Sequence, residues 1–374
     1  MSSMQSRILA SALGLALAAA APAGARAADH IIAVSKPNNV FLIDAAARKV
    51  VKECKIPGRG SPLTVSPSPD GRIAYLVTNG WGEVSGINLD NCEEVFHADM
   101  SEGNIRGKTI GAMTVSRDGK ELFALQSRVE LLTDRYNILP HRIAVYDTAA
   151  GKDAKPIRTF DVPRGLSIMV PAVDGKHLWA AGHDMYKIEA ATGTIVETHP
   201  ILYWQDQRPT YGLPDGLAFW PLYETTEKFI VPYVAPKFAS KEDRDAGDLA
   251  KATEWVLGVS MADLKTNEWV QTDVAPFEVI IFSMALSPTD PNIMYGAYTT
   301  LNKYDLAQKK VLKQVELDHT YYAVITSTDG KELYVGSTND DIAVYSAETL
   351  DKLANIKLPG GGDQGAATIR VVQR

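Results

Sequence analysis

The sequence predicts an all-β chain in which one four-stranded unit recurs and closes on itself. Three observations carry this. A polar turn ending in Asp-Gly returns along the chain, at Ser68-Pro69-Asp70-Gly71, Arg117-Asp118-Gly119, Val173-Asp174-Gly175 and Thr328-Asp329-Gly330, with Ser287-Pro288-Thr289-Asp290-Pro291 as a variant without the glycine. After each turn comes a short run of aliphatic and aromatic residues, the composition that fits a pleated strand. Beyond the N-terminus no stretch holds a long helical period.

Residues 1–27 read as an export signal. Arg7 gives a positive start, 8–20 is an apolar run too short to span a bilayer, and Ala25-Arg26-Ala27 is a small-x-small cleavage pattern. Cleavage after Ala27 leaves 28–374 as one domain. It removes Arg7 and Arg26 and no acids, so the net charge moves from −7 to −9. An acidic surface of this kind holds neither nucleic acid nor an anionic membrane. With 15 Tyr and 6 Trp, the chain is not a disordered one.

The units run near 30–60, 61–100, 110–163, 166–202, 216–275, 280–318 and 323–358. Second strands are read at 73–77, 122–125, 178–181, 294–297 and 333–336, and third strands at 40–44, 143–147, 301–305 and 342–346. Seven units of four short antiparallel strands make a seven-bladed β-propeller. The first unit lacks an innermost strand of its own, which 367–372 can supply. Pairing of the N- and C-terminal strands then closes the ring and removes its open edges. A β-sandwich, the alternative, leaves unexplained a repeat that continues to the last residue.

Cys54 and Cys92 are too few for a structural zinc site or an iron–sulfur centre. In an exported chain they are expected to pair. Their separation of 38 residues is close to the repeat length, which suggests equivalent outer strands of units one and two; two free thiols are the alternative.

With strands lettered A (innermost) to D, the A–B and C–D turns open on one face of the ring and the B–C and D–A connections on the other. The A–B turns all read as Asp-Gly length, and the C–D turns are short, as at 44–48 and 305–309. The long insertions 126–141, 201–215 and 235–253 read as a B–C, a D–A and a B–C connection, so they share one face. Elaborated loops on a rigid scaffold carry binding. Within 203–211, Tyr203, Trp204, Arg208 and Tyr211 are of the types enriched at interface hot spots. Phe277, His319, Tyr321 and Tyr322 lead into innermost strands on the same face; packing is the alternative role for the two tyrosines. The charged insertion 235–253 reads as a solvated excursion. The sequence holds no Cys-x-x-Cys-His, no Gly-rich phosphate loop and no Gly-x-Ser-x-Gly, and its seven histidines are scattered.

Taken in order, Asp29-His30-Ile31-Ile32-Ala33, Lys36-Pro37-Asn38-Asn39-Val40-Phe41-Leu42-Ile43-Asp44, and the run from His319-Thr320-Tyr321-Tyr322-Ala323-Val324 through Ser327-Thr328-Asp329-Gly330 to Leu358-Pro359-Gly360 resemble the β subunit of quinohaemoprotein amine dehydrogenase. The resemblance spans essentially the whole of 28–374. It implies a periplasmic heterotrimer that oxidises primary amines to aldehyde and ammonia. A dihaem cytochrome c subunit accepts the electrons, and a small thioether-crosslinked subunit carries cysteine tryptophylquinone. It implies no catalytic, cofactor-binding or metal-binding residue in this chain, whose part is to hold the small subunit and enclose its site. The small subunit is then expected on the loop-rich face. The Cys54–Cys92 pairing is a local inference and is not part of the resemblance.

Two other function classes fit the residues. One is a periplasmic propeller that binds a protein or small ligand without a redox role. The other is a self-sufficient propeller enzyme of the lactonase kind, which needs Asp, Glu and Asn around an axial calcium. The innermost strands beginning at Leu63, Ala112, Ile168 and Ser283 supply no such cluster.

Overall fold

Second and third strands read as almost unbroken apolar runs because both faces of every blade are covered by a neighbour. In the first blade Ile32, Val34, Val40 and Leu42 pack toward blade two, while Ile31, Ala33, Phe41 and Ile43 pack toward blade seven. The buried clusters of the described residues fall one to each seam of the ring. Each fully buried aliphatic or aromatic side chain contributes about 1.5–3 kcal/mol before chain entropy is set against it.

A computed structural model gives the architecture. It describes residues 27–374 apart from 59, 110, 205, 207, 367 and 368, so the export signal expected at 1–27 lies, but for Ala27, outside the described residues. The fold is the seven-bladed propeller of four-stranded antiparallel sheets. Blade one is built from Arg370–Gln373, Asp29–Ser35, Asn39–Asp44 and Lys49–Lys55, in order from the axis outward. Its innermost strand is the C-terminal one, in antiparallel register from Asp29↔Gln373 to Ile32↔Arg370. The ring therefore closes as expected, although the closing strand begins at Arg370.

Cys54 and Cys92 are bonded, with their Cα atoms 5.2 Å apart. Cys54 is on the outer strand of blade one, but Cys92 sits in the C–D turn just before the outer strand Glu94–Asp99 of blade two. The bond staples neighbouring blades from strand to turn, not from strand to strand.

Two insertions are more ordered than loops. In blade three the second strand, Glu121–Leu131, runs on past its partner Arg142–Asp147 and pairs there with Ile105–Lys108 and Tyr136–Ile138. In blade five, Lys228–Phe238 and Ala252–Asp263 stay paired as far as Phe238↔Ala252, and the short helix Lys241–Asp245 lies in the connection between them. These are two β arms, both on the B–C/D–A face. Blade four lies between them, and its B–C turn is only Gly182-His183.

A further expectation fails in blade five. The A–B connection of blade five is not an Asp-Gly turn. Asp215-Gly216 forms a two-residue innermost strand, and residues 217–227 then cross the axis. Ser167 of blade four donates to the Ala218 carbonyl at 2.6 Å, and Thr225 meets Thr326 of blade seven at 2.8 Å. Glu224 pairs with Arg370, which is 1% exposed and also donates to the Val65 carbonyl of blade two at 2.6 Å. Glu227 pairs with Arg117 of blade three at 2.5 Å. Tyr223 lies between those two guanidiniums, 5.1 Å from Arg117 and 5.3 Å from Arg370. This segment is a plug, and the axis is not an open channel.

Candidate functional site

The B–C/D–A face differs from its opposite in what it leaves uncovered. Every exposed aromatic among the described residues lies on it: Trp81 in the B–C turn of blade two, Tyr136 on one arm, Trp255 on the other, and Tyr203 in the loop before blade five. Ile138, Leu213, Leu217, Leu249 and Ile280 are exposed there too. In the turns of the opposite face only Val173 is comparable, and the remaining exposed aliphatics sit on or beside the outermost strands. Apolar groups collected on one face mark an interaction surface.

The residues expected in 203–211 come together, but largely to hold one another. The Trp204 indole N–H donates to the Gly212 carbonyl at 2.8 Å, and its ring meets Tyr211 and Tyr233 edge-on, with centroids 5.5 and 5.4 Å away. The Arg208 guanidinium lies 4.2 Å from the Trp204 ring centroid and donates to Asp273 at 2.7 Å. Tyr211 and Tyr233 donate to the same carboxylate at 3.1 and 2.8 Å. Burial pushes the Asp273 carboxyl up, but hydrogen bonds from Tyr233, Arg208 and Tyr211 and the guanidinium charge outweigh it and hold the group below its ordinary value. Gly258, opposite Tyr233 in the sheet, is required here, because a Cβ would come within 2.0 Å of the tyrosine ring. The loop 201–215 is thereby clamped to the base of the arm of blade five, and Tyr203 is left standing out at 48% exposure.

Around the axis Tyr322 joins an aromatic group expected only in part. Phe282 and Tyr298 stack at 4.0 Å, Tyr322 lies 5.1 Å from Phe282, and Trp220 of the plug lies 5.9 Å from both Phe282 and Tyr322. Phe219 completes the group, 4.6 Å from Trp220. To one side, a pocket of about 240 Å³ between blades five and six is lined by Phe277, Phe282, Tyr233, Leu217, Ile280 and Asp215. To the other, a more polar pocket of about 510 Å³ is lined by His319, Thr320, Tyr322, Thr338, Asn339 and Asp363.

His319 is fixed at that second pocket, with ring nitrogens 2.8 Å from the Thr320 carbonyl oxygen and 2.9 Å from Asp341 Oδ1. Tyr321 does not reach the face. It is fully buried at the seam of blades six and seven, 3.9 Å from the His319 ring centroid, and burial and Asp341 together push its phenol up. Neighbouring residues entering a strand point to opposite sides, so only one of the two tyrosines can face the axis.

Sequence reading missed Tyr233, Asp273, Phe282, Tyr298, Trp220 and Asp215. The one signal available was Gly258, a glycine inside a strand, which marks close approach.

No family model and no curated protein matches the sequence. Solved structures do resemble the fold. A hydrazine synthase from Kuenenia stuttgartiensis is 17% identical, over 86% of this chain and 90% of that one, with a TM-score of 0.55. The dihydro-haem d1 dehydrogenase NirN is 14% identical, over 92% and 75%, with a TM-score of 0.50. A functionally unknown protein from Desulfotomaculum acetoxidans is 8% identical, over 92% and 99%, with a TM-score of 0.58. Likeness at these identities carries the propeller fold alone.

Proposed function

We propose that this chain is the cofactor-free propeller subunit of a periplasmic quinohaemoprotein amine dehydrogenase. A small subunit bearing cysteine tryptophylquinone and a dihaem cytochrome c subunit supply the redox chemistry. A primary amine and water give aldehyde and ammonia, and two electrons and two protons leave. The observation that supports the reading best is the concentration of exposed aromatic and apolar side chains, with both β arms, on the one face where the family's small subunit is expected. This chain's own work is cover and shape. The aromatic group at Phe219, Phe282, Tyr298 and Tyr322 gives a dry wall, and the plug denies water a route along the axis.

Neighbouring genes for a dihaem cytochrome and a small cysteine-rich chain are the first expected finding. Co-expressed with both and purified through a tag, this chain should bring down the two partners and show a Soret band and amine-dependent dye reduction. The isolated chain should show no Soret band, no quinone absorbance and no turnover. Turnover by the isolated chain overturns the reading. So does a chain that emerges alone from a host making both partners. A stable complex without amine-dependent electron transfer would move the protein to the class of non-redox binding propellers.

A further inference from the structure

The pocket between blades five and six joins an apolar wall to a carboxylate. Its walls are apolar and aromatic: Leu217, Tyr233, Leu257, Phe277, Ile280 and Phe282. Among the residues lining it one charge stands alone, Asp215, and no ion pair or side-chain hydrogen bond engages that carboxylate among the described residues. No basic side chain lines the pocket.

An apolar cavity beside an unpaired carboxylate selects a cation carried on an apolar stem. The charge meets Asp215 and the ring faces, while the methylenes cover the aliphatic wall. The surroundings say who carries that cation. Leu217 and Ile280 line the pocket at 37% and 55% exposure, and Leu213, two residues before Asp215, is 63% exposed. A small molecule seated in the cavity leaves them wet, whereas a polypeptide crossing the mouth buries them, the usual arrangement of an anchor in a pocket ringed by covering contacts. We propose that this pocket is an anchor site for a partner polypeptide, taking a Lys or Arg side chain that is flanked by apolar residues. The inference stands apart from the amine dehydrogenase reading, because its test measures binding at this pocket and no turnover.

The probes are acetyl-Leu-Arg-Leu-amide, the Lys and Gln versions of the same peptide, and free butylguanidine and butylamine. The readout is the methyl resonances of Ile280 and Leu217 in the folded chain. The Arg or Lys peptide should bind at least tenfold tighter than the Gln peptide and tighter than either free cation. Asp215→Asn, at an exposed position, should bring the charged and neutral peptides within about twofold of each other, and the variant's unshifted spectrum confirms its fold. Equal binding of the Gln peptide to the unchanged chain overturns the charge requirement. Butylguanidine or butylamine binding as tightly as the peptide makes this a site for free cations and overturns the polypeptide assignment. Absence of shifts up to about 10 mM of every probe overturns the proposal outright.

Discussion

The two faces of the ring are made from the same strands, yet they treat their polar groups in opposite ways. On the A–B face three of the four Asp-Gly turns bond their carboxylate to a serine within the turn, and the fourth, at Asp174, takes Asn267 of blade five. Ser116 donates to Asp118 at 2.7 Å and Ser327 to Asp329 at 2.7 Å, and each carboxylate also receives the backbone N–H two residues on, from Lys120 and Lys331 at 3.1 Å. Such turns satisfy their own donors and acceptors and leave little for another molecule. On the B–C/D–A face the chain spends length on two arms and a clamped loop, and it leaves apolar side chains and the Asp215 carboxylate uncovered. A self-satisfied surface leaves little for docking, whereas an uncovered apolar one leaves area for it.

The sharpest way to break this contrast is to open the plug that separates the faces. Glu224→Gln should cost about 3–5 kcal/mol in urea unfolding, because it leaves Arg370 buried without its counter-charge. A cost under about 1 kcal/mol would mean that 217–227 is not part of the cooperative core. Replacing Cys54 and Cys92 together with Ser should cost about 3–4 kcal/mol for a loop of this length on the chain-entropy model. Thiol titration of the unfolded, unreduced native chain should find none.

Trp204 and Tyr203 sharpen the comparison within the loop-rich face. Trp204→Ala should lower folding stability by about 2 kcal/mol or more, since it removes the centre of the Arg208–Asp273 clamp. Tyr203→Ala should change stability by less than about 0.5 kcal/mol while weakening assembly with the partner. If the two variants act alike on stability, the division between clamp and contact is wrong.

The smallest effect belongs to the opposite face. Asp118→Ala should cost about 1 kcal/mol at neutral pH and leave assembly unchanged. The hydrogen bond from Ser116 holds this carboxyl below its ordinary value when folded. Its contribution is therefore complete above the unfolded carboxylate pKa of about 3.9 and is lost as pH falls through the lower folded value. Unfolding of the native and variant chains should converge in strong acid.

What could be read beforehand was whatever the repeat writes locally. Asp-Gly turns and aliphatic-aromatic runs marked the blades because each is decided within a few residues. The plug escaped because Asp215-Gly216 looks like one more turn residue pair but starts a segment whose partners, Arg117 and Arg370, lie far away along the chain. Asp273 escaped for the same reason: its donors Arg208, Tyr211 and Tyr233 are brought to it only by the folded blade. Tyr321 and Tyr322 are identical in type and adjacent, and only the direction of entry into the strand sends one to the core and the other to the axis.

The closing strand has a consequence for synthesis. Arg370 both opens the strand that zips blade one shut and provides the counter-charge for Glu224. A chain that has formed six complete blades without 370–373 has therefore made neither the final seam nor the buried ion pair of the plug. Both come with residues 370–373, so a chain without them keeps an open edge and an uncompensated acid. A product stopped short of residue 370 lacks both devices at once and is left to chaperones and proteases.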